Sequence, residues 1–235
     1  MPAPVPPDLP ANPRFEKARG GGGALARQLA AYDAMLREER PAAWQAYERL
    51  VERLCALDVG AGAPKAGDRL PSFDLPDDQG RLVSSGRLVA EGPLVLSFNR
   101  GSWCPYCWLE LAALQDCLGD IRAGGGAVVS ITPEIATFSR RLKRRLGLEF
   151  PCLSDLDNGY ALALGLAHPV GADIREIYRG AGIDLGAFQR SDAWFLPLPA
   201  TLVVDRRGIV RHAYVNADFR ERIDPKEIPD LLSGL

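Results

Sequence analysis

The sequence predicts an α/β protein in which helices flank a mixed central sheet, with a helical extension at the N-terminus. Two observations predict this class. Over residues 61–235, short apolar runs typical of buried strands alternate with helical segments. The last two strand-like runs, "TLVVD" and "GIVRHAYV", meet at "RRG", which is typical of a hairpin. The hairpin adds antiparallel strands to a sheet that the alternating helices otherwise make parallel.

The N-terminal 60 residues divide into two parts. Residues 1–23 are rich in proline and end in four glycines, which predicts a flexible arm. Residues 24–60 predict two helices, the second with Pro41 in its first turn. Their apolar positions are Leu25, Leu29, Tyr32 and Leu36, then Trp44, Tyr47, Val51 and Leu54. This stripe must pack on its own domain or on a second subunit, so both a monomer and a homodimer stay open.

The remaining elements follow from apolar spacing and turn residues. We expect a hairpin across "DDQG", a buried strand at "LVLSF", a helix from Cys104 to Arg122 and a buried strand at "AVVSI". A basic helix over residues 134–146, a strand at "FPCLS" and a helix through "LDNGYALALGL" come next. Residues 167–198 form a long connection with its own helical piece, and "DPKEIPDLLSGL" ends the chain as a helix.

Charge and hydropathy exclude some classes of function. The net charge is −2 and the pI is about 5.8, so no basic field attracts nucleic acid or an anionic membrane. The basic run "RRLKRR" at residues 140–145 is interpreted as a solvated helix face. No apolar run approaches the roughly 20 residues of a membrane span, and the N-terminus lacks the apolar core of a signal peptide. We therefore expect a soluble, cytoplasmic protein without a membrane or nucleic-acid partner.

Two of the five cysteines carry the chemical signal. Cys104 and Cys107 follow a predicted strand and begin a predicted helix. The unpaired N–H groups and the dipole at a helix start favour a thiolate at Cys104, and Arg100 adds a positive charge. Cys107 lies one turn further on the same side, close enough for a disulfide. The others, Cys55, Cys117 and Cys152, are interpreted as buried small hydrophobic residues.

The same C-x-x-C spacing also occurs in zinc sites, which need two further ligands. The only histidines, His168 and His212, are isolated and lie on different elements. We therefore expect neither a metal nor another cofactor, and the strand–helix context favours a thioredoxin-like redox centre. Pro199, directly before a late strand, is the candidate for a cis peptide facing the active-site turn, with Pro197 as the second candidate.

These segments resemble a known family. "VLSFNRGSWCPYCWLELAAL", "FPCLSD" and "LPLPATLVVDRRGIVRHAYVNADF" are similar to the peroxiredoxin-like branch of the alkyl hydroperoxide reductase and thiol-specific antioxidant (AhpC/TSA) family, and the likeness covers about residues 25–232. The resemblance implies a thioredoxin-like fold over residues 61–235 and reduction of peroxides. Electrons would come from thioredoxin or a glutathione-linked donor. Cys104 takes the peroxidatic position and becomes a sulfenic acid, and Cys107 resolves it.

The chain departs from the family pattern at two places. The usual P-x-x-x-T-x-x-C motif has Ser97 and Gly101 in its proline and threonine positions, and Pro199 stands where the family has an arginine before the late strand. Arg100 is the candidate substitute, and Trp103 is expected to shape the entrance. Because "CPYC" is also the glutaredoxin dithiol, a thiol-disulfide oxidoreductase or redox sensor remains an alternative. A second alternative is an interaction module that acts through its helical pair.

Overall fold

A central five-stranded sheet organises the molecule. The computed structural model describes residues 11–235. The strands are β1 Asp74–Pro76, β2 Leu82–Ser84, β3 Leu94–Phe98, β4 Ala127–Thr132, β5 Cys152–Ser154, β6 Ala167–Pro169, β7 Phe195–Pro197, β8 Ala200–Val204 and β9 Val210–Val215. The central sheet has the order β5-β4-β3-β8-β9. Strands β3, β4 and β5 are parallel, and β8 and β9 are antiparallel to their neighbours, so the predicted mixed sheet is confirmed.

Helices cover the sheet and form the N-terminal part. They are α1 Pro13–Gly20, α2 Leu25–Glu39, α3 Pro41–Ala56, α4 Ser85–Glu91, α5 Pro105–Asp116, α6 Leu118–Ala123, α7 Ala136–Leu146, α8 Gly159–Ala163, α9 Ala172–Gly180, α10 Leu185–Gln189 and α11 Ile228–Leu232. Both predicted N-terminal helices are confirmed, as is Pro41 in the first turn of the second. No helix among residues 11–235 is long and apolar enough to span a bilayer.

The sheet places a core on each of its faces. Val95, Val128 and Val203 point into one core, and Leu96 and Ile131 point into the other. The first core also contains Phe15, Leu29, Tyr32, Leu50 and Leu54 from the N-terminal helices. Helices α1, α2 and α3 therefore pack on the same core as α5, and we refer to these three helices as the N-terminal cover.

Four expectations require correction. The prediction of a flexible arm over residues 1–23 is wrong for Pro13–Gly20, which form a helix. Asn12 caps this helix, and Phe15 packs on Trp108. Residues 1–10 lie outside the described part of the chain. The helix expected from Cys104 to Arg122 is interrupted at Cys117. Residues 167–198 contain the small antiparallel sheet of β6 and β7 besides the helices α9 and α10. Residues 11–235 contain no cis peptide bond, so the cis expectation for Pro199 and Pro197 is wrong.

Candidate active site

The turn between β3 and α5 presents Cys104. Its backbone is extended, with φ −97° and ψ 108°, and it caps a helix whose first residue is Pro105. Gly101 makes the turn, with φ +145°, and its carbonyl accepts a hydrogen bond from the Cys104 N–H at 3.1 Å. The strand-to-helix position predicted for Cys104 is therefore observed, and its thiolate lies at the positive end of α5.

Cys107 lies beside it, one turn along α5. Sγ of Cys107 accepts a hydrogen bond from the Arg100 N–H at 3.4 Å. The Cys107 thiol is near enough to Cys104 to lower the pKa of Cys104 as a hydrogen-bond donor. Cys104 is 1% exposed and Cys107 is fully buried. The structure thus brings the two predicted thiols together as neighbours in a site shielded from bulk water.

The surroundings of the two thiols shift their pKa values in opposite directions. Burial by itself raises the pKa of Cys104, but the hydrogen bond from Cys107 and the charges of Arg100 and Arg222 lower this pKa to about 6. Burial and the neighbouring Cys104 sulfur raise the pKa of Cys107 above its ordinary value. At neutral pH, Cys104 is consequently a thiolate and Cys107 a thiol that donates to it, which are the states needed in a nucleophile and its partner.

Arg100 lies in an aromatic enclosure. Its guanidinium carbon is 3.8 Å from the centroid of Phe219 and 5.2 Å from that of Trp103, and Nη2 donates to the Tyr178 hydroxyl. The side chain is buried, and its Nε has no hydrogen-bond partner in the described structure. The positive charge predicted beside Cys104 is therefore present, and the Nε–H group of Arg100 is left without a hydrogen-bond acceptor.

A buried ion pair approaches the second thiol. Arg222 donates from Nε to Glu110 Oε2 at 2.5 Å, and its Nη2 lies 3.9 Å from Sγ of Cys107. The other oxygen of Glu110 accepts from Ser97 Oγ at 2.8 Å. Ser97 occupies the family's proline position, and here its hydroxyl holds this carboxylate.

Glu134 secures the turn from the opposite side. Its Oε2 accepts from the Ser102 N–H at 2.7 Å, and its Oε1 accepts from Ser102 Oγ at 3.0 Å. Burial, with a smaller contribution from Cys104, raises the pKa of Glu134 to about 8 despite these bonds. Oε1 also lies 2.7 Å from where a Cβ on Gly101 would stand. The space of the family's threonine side chain is thus taken by Glu134, and the Ser102 hydroxyl is engaged by it.

Cys104 lies at the wall of a cavity of about 140 Å³. Arg100, Trp103 and Pro105 also line it, together with Tyr32, Leu36 and Tyr47 of the N-terminal cover. Trp103 is half-buried and packs on Tyr178 with ring centroids 4.9 Å apart. Pro199 is buried directly before β8 but is not part of the cavity wall, so the structure does not bring this predicted residue to the cavity.

Several residues of the site were not found from the sequence. Arg222 and Phe219 belong to the loop before α11, and Glu134 precedes α7; no local motif connects them with the cysteines. The sequence predicts the aromatic stripe of the two N-terminal helices but not the surface on which it packs. The stripe meets the active-site turn, where the rings of Tyr32 and Tyr106 lie 5.0 Å apart.

The other three cysteines differ from one another. Cys117 and Cys152 are buried, as predicted, whereas Cys55 is exposed near the end of α3, so its predicted burial is wrong. Burial raises the pKa of Cys152 to about 12, so its thiol stays protonated. Within residues 11–235, no three or more His, Cys, Asp or Glu side chains are grouped so as to hold a metal ion.

Comparison with known proteins finds distant relatives that are named peroxiredoxins. Peroxiredoxin Q of rice (Oryza sativa subsp. japonica), a chloroplastic protein, is 25% identical over 158 residues, which are 67% of this chain and 62% of the relative. Chloroplastic peroxiredoxin Q of wheat (Triticum aestivum) is 24% identical over 164 residues, covering 70% of this chain and 65% of the relative. The chain thus spans somewhat less than two thirds of the length of these relatives.

Solved structures share the fold. Peroxidoxin BcpB from Mycobacterium tuberculosis superposes with a TM-score of 0.57 at 19% identity, over 73% of this chain and 98% of that one. Peroxiredoxin Q from Xanthomonas campestris gives a TM-score of 0.50 at 16% identity, over 68% and 87% of the two chains. The architecture is therefore the thioredoxin-like one expected from the sequence. The AhpC/TSA family model matches residues 66–213, from the first hairpin through the cysteine turn to β9, and by this match over more than half of its length the chain belongs to the AhpC/TSA family.

Proposed function

We propose that the protein is a thiol-dependent peroxidase that reduces hydrogen peroxide or organic hydroperoxides through Cys104. The observation that carries the proposal is the state of Cys104: its pKa is lowered to about 6, and it faces a small cavity beside a buried arginine with a free N–H. Membership of the AhpC/TSA family supports a peroxide as the oxidant and a thiol as the reductant.

The reaction follows from this arrangement. The Cys104 thiolate attacks the terminal oxygen of the hydroperoxide, the O–O bond breaks, and the departing alkoxide takes up a proton to leave as an alcohol or water. Arg100, with its Nε donor unused, stabilises the developing negative charge. Cys104 is now a sulfenic acid. The Cys107 sulfur, already in hydrogen-bond contact, attacks the Cys104 sulfur, so that water leaves and a disulfide forms.

A stopped-flow experiment tests this proposal. Reduced protein is mixed with hydrogen peroxide while tryptophan fluorescence is followed, because Trp103 adjoins the reacting thiol. We expect a phase far faster than oxidation of free cysteine, and we expect Cys104→Ser to abolish it. Cys107→Ser should keep the fast phase but stop at a sulfenic acid that dimedone traps. Cys117→Ser, a matched change of another buried cysteine, should behave as wild type. A wild-type rate no higher than that of free cysteine would refute the proposal.

The burial of both sulfurs disfavours the alternative of exchange with protein disulfides, since neither sulfur is presented at the surface. The proposed compartment is the cytoplasm. This proposal depends on the sequence, because five cysteines in a chain of 235 residues are typical of a protein in a reducing compartment and not of a disulfide-rich secreted one.

A further inference from the structure

The N-terminal cover closes directly over the active-site turn. The Tyr106 hydroxyl donates to Asp33 Oδ1 of α2 at 2.8 Å. Tyr47 of α3 packs edge-on against Phe219, with ring centroids 5.3 Å apart. Arg220, beside Phe219, forms ion pairs with Glu48 and Asp33 of the cover. Since the same helices pack on the core that contains α5, the cover forms one wall of the site.

This wall restricts access to the disulfide that peroxide turnover would produce. Cys107 is fully buried and does not line the cavity, whereas Cys104 lines it and is 1% exposed. A folded protein reductant would have to bring its own sulfur into contact with Cys104 through this cover. The cavity of about 140 Å³ is of the size that admits a benzene-sized molecule in other proteins. A small thiol can therefore reach Cys104, and only Cys104.

In the disulfide state, in which Cys104 carries no charge, the charged groups around the cavity have one sign. Its charged lining residues are Arg14, Arg40 and Arg100, and no Asp or Glu of the described chain belongs to the wall. Arg14 is paired with Glu39. Arg40 is exposed at the start of α3 and has no ion pair within residues 11–235, and Arg100 is buried with an unused N–H. Such a cavity attracts anions and favours the thiolate form of an entering thiol.

We propose that the electron donor is a low-molecular-weight thiol bearing an acidic group, which enters this cavity and attacks Cys104. This inference rests on the proposed peroxidase function, because it concerns the disulfide formed in that cycle. The acidic group is attracted by Arg40 at the entrance, while the sulfur proceeds to Cys104.

The chemistry balances with two donor molecules. The first donor thiolate attacks Sγ of Cys104, the Cys104–Cys107 bond breaks, and Cys107 leaves as a thiolate. Arg222 Nη2 and the Arg100 N–H, 3.9 and 3.4 Å from this sulfur, stabilise it before it takes up a proton. The second donor thiolate attacks the donor sulfur of the mixed disulfide and releases the Cys104 thiolate. Two thiols are thereby oxidised to one disulfide, and two electrons reduce the Cys104–Cys107 pair.

A charge series of similar small thiols tests the proposal. The protein disulfide is reduced with 3-mercaptopropionate, 2-mercaptoethanol or cysteamine, and each rate constant is divided by that of the same thiol with a free aromatic disulfide. We expect the normalised rate to be highest for mercaptopropionate, about tenfold above cysteamine. Arg40→Ala should reduce this ratio, and Arg49→Ala, a matched exposed arginine of α3, should leave it unchanged. Reduced thioredoxin at equal dithiol concentration should react more slowly than mercaptopropionate.

Equal normalised rates for the three thiols, or faster reduction by thioredoxin, would overturn the proposal. The disulfide is prepared with diamide as well as with peroxide, so the reduction assay does not depend on peroxide turnover. If peroxide fails to oxidise Cys104 rapidly while the diamide-formed disulfide still prefers the anionic thiol, the peroxidase proposal fails and the thiol site stands.

Discussion

Nη2 of Arg222 lies 3.9 Å from Sγ of Cys107, while Nε of the same guanidinium donates to Glu110 Oε2 at 2.5 Å. Both side chains of this ion pair are 1% exposed. The ion pair therefore places a positively charged N–H group of Arg222 next to Cys107, while Glu110 compensates the charge of Arg222 in the core. Although it lies more than 100 residues from Cys107 in sequence, Arg222 is part of the site.

Replacing Arg222 with methionine should destabilise the protein strongly. Removing one partner of a buried ion pair leaves the Glu110 carboxylate unpaired, which costs about 3–5 kcal/mol of unfolding free energy. Urea denaturation of the reduced protein measures this loss. The double variant Arg222→Met with Glu110→Leu should recover part of it, because no buried charge remains. A single-variant loss within the roughly 0.5 kcal/mol typical of surface changes would contradict this role.

Replacing Arg100 with methionine should raise the pKa of Cys104. Arg100 is one of the two charges that lower this pKa to about 6. We expect the midpoint of the pH dependence of iodoacetamide alkylation to move from about 6 towards the ordinary thiol value near 8.5. The rate with peroxide should fall roughly 100-fold, as for other losses of a preorganised donor. The exposed Arg206→Met is the control, and an unshifted midpoint in Arg100→Met would contradict the assignment.

The stability of the reduced protein should depend on pH through Cys104. The folded protein releases this proton at about pH 6, whereas the unfolded chain holds it to about pH 8.5. Between these values the unfolded state binds more protons, so stability rises with pH, by up to about 1.4 kcal/mol per pH unit. This contribution is lost as the pH falls through the folded pKa.

Guanidinium denaturation of wild type and Cys104→Ser, both reduced, isolates this contribution. The difference in unfolding free energy should increase between about pH 6 and pH 8.5. Glu134, whose pKa is raised to about 8, acts in the opposite direction, but it is present in both proteins and largely cancels. A difference that stays constant over this range would show that Cys104 has no depressed pKa in the folded state.

Local patterns were enough to predict much of this molecule. The apolar run ending at Phe98 and the C-x-x-C beyond it specify a strand followed by a helix start, which places Cys104 and Cys107. The spacing of Leu25, Leu29 and Tyr32 specifies the amphipathic helix α2. These are contacts between near neighbours in sequence, where period and turn chemistry decide the structure.

Contacts between distant segments could not be predicted. Arg222 reaches Cys107 only because the chain returns to the sheet through β9, and no spacing indicates this. The helix at Pro13–Gly20 was obscured by neighbouring prolines and glycines, although packing of Phe15 on Trp108 outweighs that composition. The cis peptide bond predicted at Pro199 depends on the thioredoxin-like context and not on a local pattern. The bond is trans, and Pro199 does not line the cavity.

At Gly101, the departure of the chain from the family motif has a steric reason. A Cβ there would lie 2.5 Å from Trp103 Nε1 and 2.7 Å from Glu134 Oε1, and the residue has φ +145°, which side chains rarely adopt. Gly101→Thr, which restores the motif's hydroxyl, should therefore lower the unfolding free energy by about 2–4 kcal/mol through overpacking and backbone strain. It should not increase the rate with peroxide, since Trp103 and Glu134 must move. Denaturation and stopped-flow oxidation measure the two effects, with Gly119→Thr at an open position as the control. A Gly101→Thr protein of wild-type stability that reacts faster with peroxide would show that the missing hydroxyl, and not this packing, limits the site.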